Sequence, residues 1–417
     1  MKILMVVAHF MPVHRGGAEM QCWKQAKALA QRGHKVTVLT PWWSLSSKRS
    51  EWVDGVRIRR MGFLLPLTWL ARRWHARLKP PPAEGGGEVV SATPKARKKR
   101  FRWMSLTERP GLFSFILEVA CAIRFRRLRP DVIHVHESHW IAGFAHWMAE
   151  RLDVPVFCKE GLLPVLDFGG AQHVPWRERW RERRTKCRFI AMTDAIQDAL
   201  IKAGIAPDQI ACVPNGVEIP ERKAQPQLYG DALYVGNLSQ GAAHKGFDVL
   251  LKAMGEVVKE APEIKLRICG AGVATGWQAM ADELGCGTAV EFVGRVEDLT
   301  EYHHHSGFLV LPSRKEGISN ALLEAQAAGL PAIVTDIPGN TAVIQHGFNG
   351  LVVPVGDAVA LARAIVEMHR STELRERLGH AARQQAEARF AISRVAEQLE
   401  ELYHTALVAT TPDGFQD

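Results

Sequence analysis

Short apolar runs alternate along this chain with stretches whose apolar residues recur at helical spacing, and glycine or proline turns separate the two kinds. In the first half, Lys2–Ala8, Val36–Leu39, Val56–Met61, Val132–His136, Val154–Cys158, Phe189–Met192 and Ile210–Val213 read as strands. Helices are expected over 18–31, 112–126, up to Ala149, and over 194–203, with a charged, solvated helix over 177–184. In the second half the strands are Ala232–Val235, Lys265–Cys269, Val290–Val293, Gly307–Leu311, Leu330–Thr335 and Leu351–Val353. Helices are expected over 247–259, up to Leu284, over 298–305, from Ser319 or Asn320 to Ala328, and over 358–404. Alternation of this kind predicts an α/β chain with two doubly wound parallel sheets. The turn Pro214-Asn215-Gly216-Val217-Glu218 and the polar stretch after it mark a boundary between domains 1–218 and 219–390. The remainder, 391–417, is expected to form a helix that packs back on the first domain and ends in a frayed tail.

The pattern breaks once, over about 62–110. Leu64 to Leu78 carries Trp69 and Trp74 among arginines, 80–87 holds three prolines and three glycines, and 95–102 is a basic run. From Arg72 to Arg129 there are fifteen Lys and Arg against four Glu, so the rest of a chain with net charge +9 is slightly acidic. Such a patch suits an anionic membrane surface, an anionic sugar or a solvated loop. Nucleic acid is not expected, because no binding motif accompanies the charge.

Composition narrows the class. At 417 residues the chain exceeds one ordinary core, and 47% apolar with 23% charged residues is a globular balance. Seven scattered cysteines, none in a CxxC pair, fit a reducing compartment and give no zinc or disulfide signal. No run of eighteen apolar residues predicts a membrane span, and the apolar start is interrupted too early for a signal peptide. The expected location is the cytoplasm, with the basic segment drawing the chain to the inner face of the plasma membrane. His303, His304 and His305 follow one another on one helix and cannot all face one ion, so they read as surface rather than metal ligands.

The candidate chemistry gathers at strand ends. Glu316 follows an apolar strand, and Glu324 lies eight residues on, one turn into a helix whose free N–H groups favour an anion. Taken alone, the pair also fits carboxylates answering a helix dipole. Lys245 ends the loop after strand 232–235, and Gly16-Gly17 ends the loop after the first strand. A lysine with helix amides suits a diphosphate, and a carboxylate beside them suits ribose or sugar hydroxyls. A nucleotide-sugar fits all of these.

With Gly-Gly-Ala-Glu at 16–19, Ile-His-Val-His at 133–136, Pro-Asn-Gly-Val at 214–217, Lys-Gly at 245–246 and Glu-Gly-Ile-Ser-Asn-Ala-Leu-Leu-Glu at 316–324, the chain resembles the GT-B glycosyltransferases of family 4. The resemblance covers nearly everything outside 62–110. It implies two Rossmann-like domains facing each other across a cleft and a UDP-sugar or GDP-sugar donor. It further implies retention of anomeric configuration, and no required metal or other cofactor. The partner would be a glycan or lipid-linked acceptor in cell-surface polysaccharide synthesis. By position, Glu316 would contact the donor sugar, Lys245 the phosphates and Glu324 the ribose. Gly317, Ile318, Ser319 and Asn320 would offer backbone amides, and Gly16 and Gly17 would let the N-terminal loop approach donor and acceptor. Asn237 stands where the family often has Arg, leaving Arg295 or Arg314 to supply that contact. Glu160 stands near the family's usual His, and His136 is a further donor-side candidate. Two other readings remain open on the residues: a nucleotide-sugar epimerase or phosphorylase using the same cleft, and a non-catalytic sugar-nucleotide-binding module.

Overall fold

The computed structural model describes residues 1–8, 10–11, 16–42, 47–63, 129–136, 149, 151–163, 187–272 and 274–410. Two compact units result, the first built on Met1–Cys158 and the second on Lys159–Gly170 with Arg188–His404.

The first sheet holds β1 (Lys2–Val7), β2 (Lys35–Trp42), β3 (Ser50–Val53), β4 (Val56–Phe63), β5 (Val132–His136), β6 (Val156–Glu160), β7 (Cys187–Ala191) and β8 (Ile210–Cys212), in the order β3-β4-β2-β1-β5-β6-β7-β8. β1 pairs in parallel with β2 and β5, β2 with β4, and β7 with β8. Ile3 to Val7 are buried on both faces, which is why this strand reads as an unbroken apolar run. The helix α1 (Gly17–Gln31) turns Cys22, Ala26 and Leu29 inward, and the small Cys22 and Ala26 permit close helix–sheet packing. α2 (Asp194–Lys202) starts at Thr193, whose Oγ1 accepts from the Ile196 N–H at 3.3 Å.

The second sheet holds β9 (Ala232–Val235), β10 (Leu266–Cys269), β11 (Val290–Gly294), β12 (Phe308–Leu311), β13 (Ala332–Thr335) and β14 (Gly350–Val353). Its order is β11-β10-β9-β12-β13-β14 and every pair is parallel. Counted from β9 this is 3-2-1-4-5-6, the doubly wound order, and its direction reverses between β9 and β12. The connecting helices are α3 (Phe247–Glu260), α4 (Thr275–Glu283), α5 (Thr300–His304), α6 (Asn320–Ala328) and α7 (Pro338–Thr341), followed by α8 (Ala358–Arg370), α9 (Thr372–Gln385) and α10 (Ile392–Thr410). α3 packs on α8, and Phe247 at its start lies 5.0 Å from Tyr234 and edge-on to Trp277 at 5.1 Å, ring centre to ring centre.

Most predicted elements are present, with five differences. Ser50–Val53 is an extra strand, turned antiparallel on β4 through Asp54 and Gly55, both with positive φ, as a two-residue type I′ hairpin requires. β6 starts at Val156 rather than Val154 and continues past Cys158 through Lys159 and Glu160, which are buried. The stretch read as a long loop before Lys245 is partly a 3₁₀ turn, Gln240–Lys245. α5 is shorter than expected, and just before it the Asp298 Oδ1 accepts from the Thr300 N–H at 2.9 Å. α10 runs to Thr410, past the expected stop at His404. The expected helices at 112–126 and 177–184, the one leading to Ala149 except for that residue, nearly all of the basic segment 62–110, and the tail from 411 lie outside the described residues. Among the described residues no helix is long and apolar enough to cross a membrane, and no disulfide joins the cysteines.

Two expectations follow from this packing. Gly246 ends the 3₁₀ turn and begins α3 at φ +68°, and a Cβ there would lie 1.9 Å from the Pro312 carbonyl oxygen. Gly246→Ala is expected to cost at least about 2 kcal/mol in urea unfolding; an unchanged midpoint would show that the Pro312 segment yields. His303 on α5 is buried, and burial holds its imidazole below its ordinary pKa, against the opposing pull of the Glu324 and Asp298 carboxylates. Between the folded value and the unfolded value near 6.5 the unfolded chain binds more protons, so stability is lost as pH falls below about 6.5. His303→Gln should flatten the wild-type loss between pH 7 and 5.5, which one proton limits to about 1.4 kcal/mol per pH unit; equal slopes in urea titrations would refute this.

Candidate functional site

The second sheet's switch point is where its chemistry collects. Chain leaving β9 and chain leaving β12 diverge there, and Lys245 lies on the first path and Glu316 on the second. Glycines make the edge close. A Cβ on Gly270 would lie 1.8 Å from the Gly236 carbonyl oxygen, so backbone rather than side chains packs at the ends of β9 and β10.

The two paths are stitched together beneath the site. The Arg314 guanidinium forks onto Asp248 with two bonds of 2.7 Å, and its Nη1 also donates to the Ala243 carbonyl at 2.8 Å. The Arg314 N–H donates to the His244 carbonyl at 2.7 Å. This pairing holds the Asp248 carboxyl below its ordinary pKa, and it commits Arg314 to Asp248. The expectation that Arg314 replaces a phosphate-binding Arg therefore meets an arginine already engaged in structure. Arg295, the other replacement, is exposed just after β11.

With the 3₁₀ turn fixed to 312–316, Lys245 meets Glu316 in an ion pair, Nζ on Oε1. The side chains are 22% and 11% exposed, so solvent screens the pair less than it would a surface one. Ser313 Oγ donates to the same Glu316 oxygen at 3.0 Å, and Ser313 in turn is fixed by Thr335, whose Oγ1 donates to its carbonyl. Asn340 Nδ2 donates to the Thr335 carbonyl at 3.0 Å. Behind Glu316 lies the Tyr234 phenol, fully buried, its pKa raised by burial and by the Glu316 carboxylate.

Beyond Glu316 the chain presses on other backbone. A Cβ on Gly317 would lie 1.9 Å from the Gly161 carbonyl oxygen, and one on Gly339 2.1 Å from that of Gly317. Asn215 Nδ2 donates to the Ile318 carbonyl at 3.0 Å. Ser319 begins α6 without a side-chain cap, so the first-turn amides of a nine-residue helix do not bond to its hydroxyl. Glu324 is half-buried on that helix, and Asn320 is half-buried at its start.

The structure thus brings Lys245, Glu316, Gly317, Ile318, Ser319, Asn320 and Glu324 onto two adjoining segments of one unit. Asn237 is exposed after β9, its Oδ1 taken by the Ser239 N–H at 2.9 Å. Glu160 is buried at the end of β6. Gly16, Gly17 and His136 belong to the first unit: the glycines stand exposed at the start of α1, and His136 is buried at the end of β5, its ring stacked on His134 at 4.4 Å. Among the described residues no cluster of His, Cys, Asp and Glu is arranged to hold a metal ion. Sequence reasoning missed Ser313, Asp248, Tyr234 and Asn340, which carry no local signal. Asn215 was visible as part of a motif but without a role.

Comparison with known proteins agrees with this geometry. The family model described as glycosyl transferases group 1 matches residues 218–385, and that described as a glycosyl transferase 4-like domain matches 16–216. The chain is 24% identical over 234 residues to the capsular polysaccharide biosynthesis glycosyltransferase CapM of Staphylococcus aureus, across 52% of this chain and 62% of that protein. It is 29% identical over 300 residues to the phosphatidyl-myo-inositol mannosyltransferase of Mycobacterium leprae, across 69% of this chain and 76% of that one. The solved structure of Anabaena Alr3699/HepE in complex with UDP has the same fold, with a TM-score of 0.68 at 19% identity over 97% of this chain and 100% of that one. With two parallel sheets, the doubly wound order and family matches that together run from residue 16 to 385, the chain belongs to the group 1 glycosyltransferases of the GT-B fold.

Proposed function

We propose that this chain is a retaining glycosyltransferase that moves a sugar from a UDP- or GDP-sugar to a glycan or lipid-linked glycan in polysaccharide or glycolipid synthesis. The observation that carries the reading is the pairing of Lys245 with Glu316 at the switch point, on the segment that runs directly into the start of α6. A cation and a row of amides there are suited to the charge that grows on a departing diphosphate, which is where electrostatic catalysis acts. Lys245 and the amides of Gly317 to Asn320 hold that diphosphate, Glu316 holds donor-sugar hydroxyls, and Glu324 accepts from the ribose. Asn237, Gly16 and Gly17 border the donor, with His136, Glu160 and Arg295 as further contacts.

In this reading the acceptor hydroxyl attacks the anomeric carbon on the face from which the diphosphate leaves. The new carbon–oxygen bond forms as the bond to the phosphate oxygen breaks, and a diphosphate oxygen takes the hydroxyl proton. Lys245 and the amides meet the charge without a metal. UDP is the first nucleotide to test because the HepE structure was solved with it. The proposed division at 218/219 lies beside the meeting of the two family matches at 216 and 218, whereas the compact units place 188–218 with the second unit. Association with an anionic membrane through 64–102 is part of the proposal, resting on the tryptophans and arginines of that sequence.

Kinetics, donor binding and liposome flotation test it. Lys245→Ala and Glu324→Ala are expected to lower kcat/KM for transfer by about 100-fold or more while the urea midpoint stays near wild type; full activity in both would sink the reading. A true donor at about 100 times its Kd should stabilise the fold by about 2.7 kcal/mol, so a thermal-shift series of UDP-, GDP- and ADP-sugars names the nucleotide. Transfer should persist in EDTA, and donor incubated without acceptor should not isomerise; rapid isomerisation would favour an epimerase. Liposome flotation with and without residues 64–102 decides the membrane part, since equal flotation removes it.

A further inference from the structure

We infer that Asn215 is a positioning residue for this donor site: it fixes the peptide between Ile318 and Ser319 so that the Ser319 N–H is presented to the donor. The inference rests on the reading of 316–324 as the donor segment.

Asn215 is 6% exposed, and its Nδ2 donates to the Ile318 carbonyl at 3.0 Å across 103 residues of sequence. Both residues lie in the second unit. A trans peptide is planar, with its carbonyl and N–H pointing in opposite directions. Holding the Ile318 carbonyl towards Asn215 therefore turns the Ser319 N–H away from Asn215.

The arm that reaches Ile318 is anchored on both sides. Before it, the Pro214 carbonyl accepts from the buried Lys159 Nζ at 3.3 Å. After it, the Val217 N–H donates to the Phe390 carbonyl and the Ile392 N–H donates to the Val217 carbonyl, each at 2.8 Å. The receiving segment is anchored too, with Gly317 pressed on Gly161 and Gly339 pressed on Gly317. Asn215 is thus a fixed donor aimed at a fixed carbonyl. A buried carbonyl that merely needed a partner could take one from any neighbour. Here the bond couples Lys159, at the position where the sequence departs from its family, to the amides that border Glu316.

The test uses the full chain and the variant Asn215→Asp, which keeps the side chain's size and removes the N–H. Expected are a fall of about 10- to 100-fold in kcat for transfer, UDP affinity weaker by about 2- to 10-fold, an unfolding midpoint near wild type, and amide hydrogen exchange faster by about 10-fold over 316–321 with the rest of the chain unchanged. If Asn215→Asp does not fold, Asn215→Ser, which is shorter and uncharged, carries the same comparison. Unchanged exchange with unchanged kcat would overturn the inference. So would a parallel loss of kcat, UDP affinity and unfolding midpoint, which marks a merely structural bond. Absence of nucleotide-sugar turnover in the wild type counts against the donor reading, and exchange over 316–321 then decides alone whether Asn215 orders that segment.

Discussion

Backbone lies directly against backbone around Pro312 to Ser319, and the second unit's chemistry depends on that closeness. Three glycines from distant parts of the chain permit it. Gly246 meets the Pro312 carbonyl, Gly317 meets that of Gly161, and Gly339 meets those of Glu316 and Gly317. A methyl group at any of them would fall within about 2 Å of an oxygen, well inside van der Waals contact. Each contact removes a degree of freedom from the loop after β12. The loop's carbonyls and amides therefore have fixed directions before any ligand arrives, which is the condition under which dipoles stabilise developing charge without reorganising.

On this frame the charged groups are arranged in two tiers. Asp248 and Arg314 form the lower one and join α3 to the loop. Both are about one-third exposed, so their pairing adds at most about 1 kcal/mol, and its value is in fixing geometry. Lys245 and Glu316 form the upper tier, which is less exposed. Each partly satisfies the other, so neither carries the full cost of a lone shielded charge. Under the proposed donor role, a diphosphate approaching Lys245 would compete with Glu316 for the cation and leave Glu316 to hydroxyl groups.

How much of this could be read from the sequence depended on the distance over which each signal acts. Strands buried on both faces announced themselves as apolar runs, and Gly329 with φ +83° ended α6 where a glycine followed by proline was expected to. Glu316, Glu324 and Lys245 were legible because strand ends locate the carboxyl edge of a parallel sheet. The hairpin at Ser50–Val53 was missed although its signal was local: Asp54-Gly55 is the favoured two-residue turn, but a four-residue, mostly exposed edge strand lacks the apolar alternation that draws attention. Asp248 with Arg314, and Asn215 with Ile318, were not legible at all. They are 66 and 103 residues apart, and nothing in either local sequence specifies the partner.

Both sheets use the same winding, yet they carry different chemistry at corresponding places. After β1 the chain offers two exposed glycines and no described charge before α1 begins; after β9 it offers Lys245 and a left-handed glycine that is fully committed to packing. After β5 it ends in the stacked, buried pair His134 and His136; after β12 it ends in Ser313 and Glu316, bonded to each other and to the lysine. Topology alone would make the two switch points equivalent. Among the described residues the difference runs in one direction: paired charge and uncapped helix amides in the second unit, exposed glycine backbone in the first. Among the described residues, groups complementary to a dense negative charge gather at the second switch point.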